Sequence, residues 1–160
     1  MGWGQPRGQP AEANRPGAPS LRDTAQAMSE ENVEAFQAVI EAVNRRDVDA
    51  HSALMAPDVE IVPMRAALES ETVYRGPDAS AQWLAAIEQS WERLTADLED
   101  FRIKGDCVLA LGRIRARGRE SGVDVDVPAA ALARFHAGQV VYLRVYTNQD
   151  AALEAAGLSE

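Results

Sequence analysis

The chain has 160 residues, 46% of them apolar, and a formal net charge of -9. That length fits one domain able to bury a core without disulfides or metal, and the single cysteine, Cys107, can neither close an internal disulfide nor build a thiolate cluster, which fits a reducing compartment. The acidic balance repels nucleic acid and anionic membrane surfaces, and neither a signal peptide nor a run approaching about 20 apolar residues is present, so a cytoplasmic protein without nucleic-acid or membrane partners is expected.

Residues 1-27 hold 4 of the 11 glycines and 4 of the 8 prolines and show no apolar period. They read as a disordered tail ahead of one domain over residues 28-160, and translation starting at Met28 is an alternative reading. Ser29 is placed to cap a first helix, with Glu30 and Glu31 at its positive end and Val33, Phe36, Ile40 and Val43 along one face. That helix runs to about Arg46. A shorter helix over Val48 to Met55 should stop before Pro57. Asp58 to Met64 then reads as a strand with Glu60, Val62 and Met64 on one face and Val59 and Ile61 on the other.

Thr72 to Arg75 is a short strand ended by Gly76-Pro77, and Pro77 suits the start of a further helix whose buried stripe is Leu84, Ile87, Trp91 and Leu94, flanked by Trp83. Long strands follow at Leu98 to Lys104, Cys107 to Arg119, Val123 to Phe135 and Val140 to Thr147, with turns at Gly105-Asp106 and Ala137-Gly138. Helices gathered on one face of such an antiparallel meander make an α+β sandwich, and strong curvature would turn the sheet into a cone.

Several segments now carry a resemblance: Asn44-Arg45-Arg46-Asp47, Leu54 to Glu60, Tyr74-Arg75-Gly76-Pro77, and the ending from Tyr146 to Leu158. In this order and spacing they resemble SnoaL-like domains of the nuclear transport factor 2-like, or ketosteroid isomerase-like, superfamily. The resemblance implies a cystatin-like α+β roll, a curved antiparallel sheet wrapped around helices, with a pocket at the wide end and a homodimer through the outer face of the sheet. The sequence carries neither a phosphate-binding glycine loop nor a dinucleotide fingerprint, so no cofactor is expected, and no metal. Members include polyketide cyclases, ketosteroid isomerases and epoxide hydrolases as well as domains without known activity, so the fold alone assigns no reaction.

The residues these chemistries require are largely replaced. Where a ketosteroid isomerase carries its base just before a proline, Val62 precedes Pro63, and the oxyanion-binding tyrosine and aspartate positions correspond to Val39 and to or near Ala130. Of the arginine and two aspartates of a limonene epoxide hydrolase, one aspartate corresponds to Val145 within Arg144-Val145-Tyr146 and the other to Arg115. The frequent aspartate after the last-strand tyrosine is Asn148, which cannot act as a base at neutral pH.

By the same correspondence the pocket should be lined by Val39 and Val43, by Glu60, Val62 and Met64, by Trp83 and Ile87, and by Leu109, Leu111, Arg113, Arg115, Leu143 and Val145. Glu60 is then the candidate acid or base, since an apolar cavity raises a carboxylate pKa, with Arg113 as its orienting partner. The alternative is a rim carboxylate paired with Arg113. Arg113, Arg115 and Arg117 alternate along one strand face and could grip an anionic group, or could be a solvated strand end balanced by Asp124 and Asp126. His51 and His136 lie on different elements, which argues against a histidine metal site. Three functions stay open: a cyclase, isomerase or hydrolase acting on a small hydrophobic molecule, a non-catalytic binder of such a molecule, and a dimerisation module.

Overall fold

The computed structural model describes residues 21-64 and 72-158, with the side chains of residues 21-25 left aside. The first helix, α1 (Leu21–Arg45), buries Phe36, Val39 and Val43 against the sheet, as the spacing predicts. It starts eight residues ahead of Ser29, because the run from Leu21 to Met28 is free of glycine and proline and rich in helix formers. Residues 1-20 of the expected tail lie outside the described residues. The helix closes with paired backbone bonds, Asp47 N to Ala42 O at 2.8 Å and Arg46 N to Val43 O at 3.1 Å. Arg46 takes the left-handed conformation, φ 56°, that this closure needs and glycine usually supplies. Asp47 then caps α2 (Val48–Ala53) by accepting from Ala50 N at 3.1 Å.

Six strands follow the order β2-β1-β6-β5-β4-β3 in one curved, unclosed sheet. They are β1 (Met55–Val62), β2 (Tyr74–Arg75), β3 (Trp91–Lys104), β4 (Cys107–Gly118), β5 (Asp124–His136) and β6 (Gln139–Tyr146). All neighbours are antiparallel except β1 and β6, which run parallel. Helix α3 (Ala79–Ser90) joins α1 on the concave face. The architecture is thus the α+β cone expected from the sequence.

Trp91 and Leu94, assigned to the stripe of the third helix, belong to β3 instead. The helix-like spacing has a physical origin. The β3–β4 register shifts between Trp91 and Arg93 and again between Leu98 and Asp100. Each extra residue reverses the strand's alternation, so Leu94, Leu98 and the partly buried Phe101 share the inner core at intervals of a helical kind. At the second irregularity β3 presses on β4, where a Cβ added to Gly112 would lie 2.0 Å from Asp97 O.

Helix α1 also seals the outer edge of the sheet. Asn44 donates to Ala96 O at 3.0 Å and accepts from Ala96 N at 2.8 Å, standing in for a neighbouring strand. Arg46 donates to Leu94 O at 3.2 Å and to Val43 O, and its Nε lies 3.2 Å from Glu88 Oε1. On the convex face a last helix, α4 (Gln149–Ala155), places Ala152 and Ala156 over Leu109, Leu111, Ala130 and Leu132. Covered on both faces, β5 is buried without alternation from Ala129 to Ala133.

Candidate functional site

Between α1, α3 and the concave face lies a cavity of about 240 Å³. Phe36, Val39, Ile40 and Val43 line it from α1, and Trp83, Ala86, Ile87 and Ser90 from α3. Trp91, Leu94, Ala96 and Leu98 of β3, Ile114 of β4, Ala131 of β5 and Leu143 and Val145 of β6 form its floor, and Pro63, Met64, Thr72 and Tyr74 also line it among the described residues. Among the described residues this lining contains no Asp, Glu, His, Lys or Arg. Its hydroxyl groups are those of Thr72, Tyr74 and Ser90.

Of the lining expected from the sequence, Val39, Val43, Met64, Trp83, Ile87, Leu143 and Val145 are in place. Val62, Leu111, Arg115, Glu60 and Arg113 are not. On β1 the inward residues are Val59 and Ile61, and on β4 they are Val108, Ala110, Ile114 and Ala116. Both strands face the opposite way from the expected assignment, because a one-residue slip in phase sends every side chain through the sheet. Leu109 and Leu111 consequently pack under α4.

Glu60 is partly exposed and pairs with Arg75 of β2 at 3.5 Å. Arg113 lies on β4 and pairs with Asp126 at 2.7 Å. The structure therefore does not bring Glu60 and Arg113 together, and neither reaches the cavity. The arginine row is balanced throughout: Arg115 meets Asp97, and Arg117 meets Asp124 at 3.1 Å and Glu92 at 3.4 Å. It is a charge ladder on the surface, where such pairs contribute little stability.

One buried polar pair stands beside the cavity. His51 is fully buried, and its Nδ1 lies 2.6 Å from Ser80 Oγ, also buried, at the junction of α2 and α3. Its ring meets the edge of Trp83, with centroids 5.6 Å apart. Burial pushes the imidazole pKa down to about 4. Among the described residues no three His, Cys, Asp or Glu side chains converge as metal ligands. Cys107 is half-buried, its Sγ 3.6 Å from Asp106, and burial raises its thiol pKa.

Several lining residues escaped the sequence reading. Trp91, Leu94 and Leu98 were hidden by the irregular register of β3, and Thr72 and Tyr74 follow residues 65-71, which lie outside the described residues. Asn148, weighed above as a lost base, is the N-cap of α4, accepting from Ala151 N at 3.0 Å. The signal for that helix was present: a capping Asn148 opens it and Gly157, with φ 74°, closes it.

The sequence matches the SnoaL-like domain family over residues 36–143, and the chain belongs to that family. No curated protein matches it. Among solved structures it is similar to a nuclear transport factor 2-like protein of unknown function from Burkholderia pseudomallei, 18% identical, TM-score 0.66, covering 79% of this chain and 97% of that one. It is also similar to a SnoaL-like polyketide cyclase, so described without proof of activity, from Jannaschia sp. CCS1, 22% identical, TM-score 0.65, covering 83% of this chain and 95% of that one. A third similar structure is TerC co-crystallised with polyporic acid, 18% identical, TM-score 0.65, covering 79% and 97%. At these identities the likeness establishes the fold alone. No helix among the described residues is long and apolar enough to cross a membrane.

Proposed function

We propose that this chain is a binding domain for a small apolar molecule, without acid-base catalysis of its own, working as a homodimer. The observation that carries the reading is the lining of the cavity. It joins aromatic and aliphatic walls to a few hydroxyl groups, the composition of a small-molecule site. Apart from the phenol of Tyr74, no described lining side chain ionises, whereas general acid-base catalysis needs a titratable group within hydrogen-bond reach of the reacting atom. A cyclase, isomerase or hydrolase built on Glu60 and Arg113 would need both side chains to leave Arg75 and Asp126 and cross the sheet.

The test is a thermal-shift and calorimetric screen of apolar compounds against the wild type and a variant with the cavity filled, Ile87→Trp, with circular dichroism confirming that the variant folds. Compounds should stabilise the wild type and not Ile87→Trp, and Glu60→Gln should bind as the wild type does. A turnover that collapses in Glu60→Gln would restore the enzyme reading.

The partner copy is placed on the outer face of β5 and β6. There Arg134 stacks on Tyr142, 5.4 Å from the ring centre, and Arg144 on Tyr146, 4.9 Å away. Tyrosine and arginine are the residue types enriched at the centres of interfaces. Sedimentation at micromolar concentration should give a dimer, and a monomer there would remove this part of the proposal.

A further inference from the structure

Resting on the reading of the cavity as a binding site, we infer that His51 is a positioning residue for it. Through Ser80 and Trp83 the imidazole fixes how α3 presents its wall to the ligand, although His51 itself does not line the cavity. The wall contributed by α3 is Trp83, Ala86, Ile87 and Ser90, which the spacing of a helix places on one face. A small rotation of α3 about its axis would move them together. What fixes that rotation also fixes the width and shape of the cavity.

At its start α3 is not held by its own cap. Asp78, at the N-cap, makes no side-chain capping bond, and the polar tie is made just inside the helix, where Ser80 Oγ lies 2.6 Å from His51 Nδ1 of α2. The same imidazole packs against the indole of Trp83, with ring centroids 5.6 Å apart and an interplanar angle of 60°. One buried ring thus holds both the start of the helix and its bulkiest wall residue. The other end of α3 is anchored separately: Glu88 meets Arg46 Nε at 3.2 Å, and its carbonyl oxygen accepts from Arg119 Nε at 2.9 Å.

Stability alone does not account for this pair. Among the described residues the buried polar side chains are His51 and Ser80, and His51 Nε2 finds no hydrogen-bond partner there. A buried polar atom without a partner carries a standing cost, and two apolar side chains would close the junction of α2 and α3 without it. A buried hydrogen bond is directional where apolar contact is not, so it selects one arrangement of the two helices. The chain departs from an apolar core directly beside a cavity wall, and such departures are expected where function needs them.

The experiment uses the full chain and the aromatic probes naphthalene, 1-naphthol and N-phenyl-1-naphthylamine, with affinity from calorimetry and stability from urea unfolding. Ser80→Ala removes a hydroxyl that does not line the cavity and should weaken binding at least about fivefold. Leu109→Ala, on the convex side under α4, should lower stability and leave the affinity unchanged, which separates positioning from general loosening. The chain's two histidines give an internal comparison by NMR: the ring signals of buried His51 should shift as the cavity fills, and those of exposed His136 should not. A smaller loss in Ser80→Ala, an equal loss in Leu109→Ala, or His51 signals unmoved at saturation would overturn the positioning role while leaving the binding site standing. If no probe binds the wild type, or if the probes bind Ile87→Trp as well as the wild type, the binding-site reading fails and this inference with it.

Discussion

The buried imidazole of His51 makes the fold sensitive to acid in a way that can be worked out in advance. In the unfolded chain a histidine takes up its proton near pH 6.5, whereas in the fold burial delays uptake to about pH 4. Between those values the unfolded state binds the extra proton, so stability is intact above the unfolded pKa and falls as the pH is lowered through this window. At 1.36 kcal/mol per pKa unit, the full loss is about 3 kcal/mol, of which about 2 kcal/mol has gone by about pH 5. A variant isolates the histidine's contribution. His51→Gln retains an amide near Ser80 and does not titrate. It should be the less stable protein at neutral pH, because the ring contact with Trp83 is lost. Its deficit against the wild type should shrink by about 2 kcal/mol between about pH 7 and about pH 5. Urea unfolding followed by tryptophan fluorescence at several pH values measures that difference. A deficit constant across the window would show that His51 is not held neutral in the fold, and the reasoning would fail.

Gly112→Ala should lower stability by about 3 kcal/mol or more, since the new methyl group would meet a backbone oxygen at 2.0 Å rather than a yielding side chain; a urea midpoint near that of the wild type would contradict the close approach of β3 and β4. Asn44→Ala strips both backbone partners from Ala96 at the sheet edge and should cost about 1-3 kcal/mol, with faster amide exchange at Ala96 as a second reading. Glu60→Gln weakens only a solvated ion pair with Arg75, so unfolding free energy should move by less than about 0.5 kcal/mol, and a larger loss in a denaturant titration would mean that Glu60 has a partner beyond Arg75.

What could be read from the sequence, and what could not, divides along the geometry of the elements. Val39 and Val43 on α1 and Trp83 and Ile87 on α3 were placed correctly because a helix has a continuous period, and an error at its start does not change which residues share a face. Leu21 beginning α1, rather than Ser29, left the stripe intact. A strand has no such tolerance. Its period is two, so the face of Glu60 or Arg113 depends on a single choice of phase, and the hydrophobic content of β1 and β4 supported either choice. Val59 and Ile61 are as apolar as Val62 and Met64, and Leu109 and Leu111 as apolar as Val108 and Ile114. Only the unforeseen helix α4 explains why Leu109 and Leu111 can be buried on the convex side. On β6 the choice was easier, because Tyr142, Arg144 and Tyr146 contrast with Leu143 and Val145, and there the inward face was right.

The segments that carried the resemblance have physical roles that explain why the family was legible and its chemistry was not. Asn44 and Arg46 seal the free edge of β3, and Asp47 caps α2. Leu54 O, just before the strand start, accepts from Val140 N at 3.0 Å and begins the parallel pairing of β1 with β6. Gly76, with φ 84°, turns the chain from β2 toward α3 while its N–H bonds Val59 O at 3.0 Å. Asn148 and Gly157 bracket the helix that covers the convex face. Each of these residues closes, caps or turns an element, and of the segments that carried the resemblance only Tyr74 reaches the cavity. Interchangeable apolar side chains on helix faces and irregular strands shape the cavity instead, and their identities leave no motif. A sequence of this kind therefore specifies its cone through a few polar residues at chain ends and sheet edges, while the selectivity of the space inside depends on side-chain phase and volume.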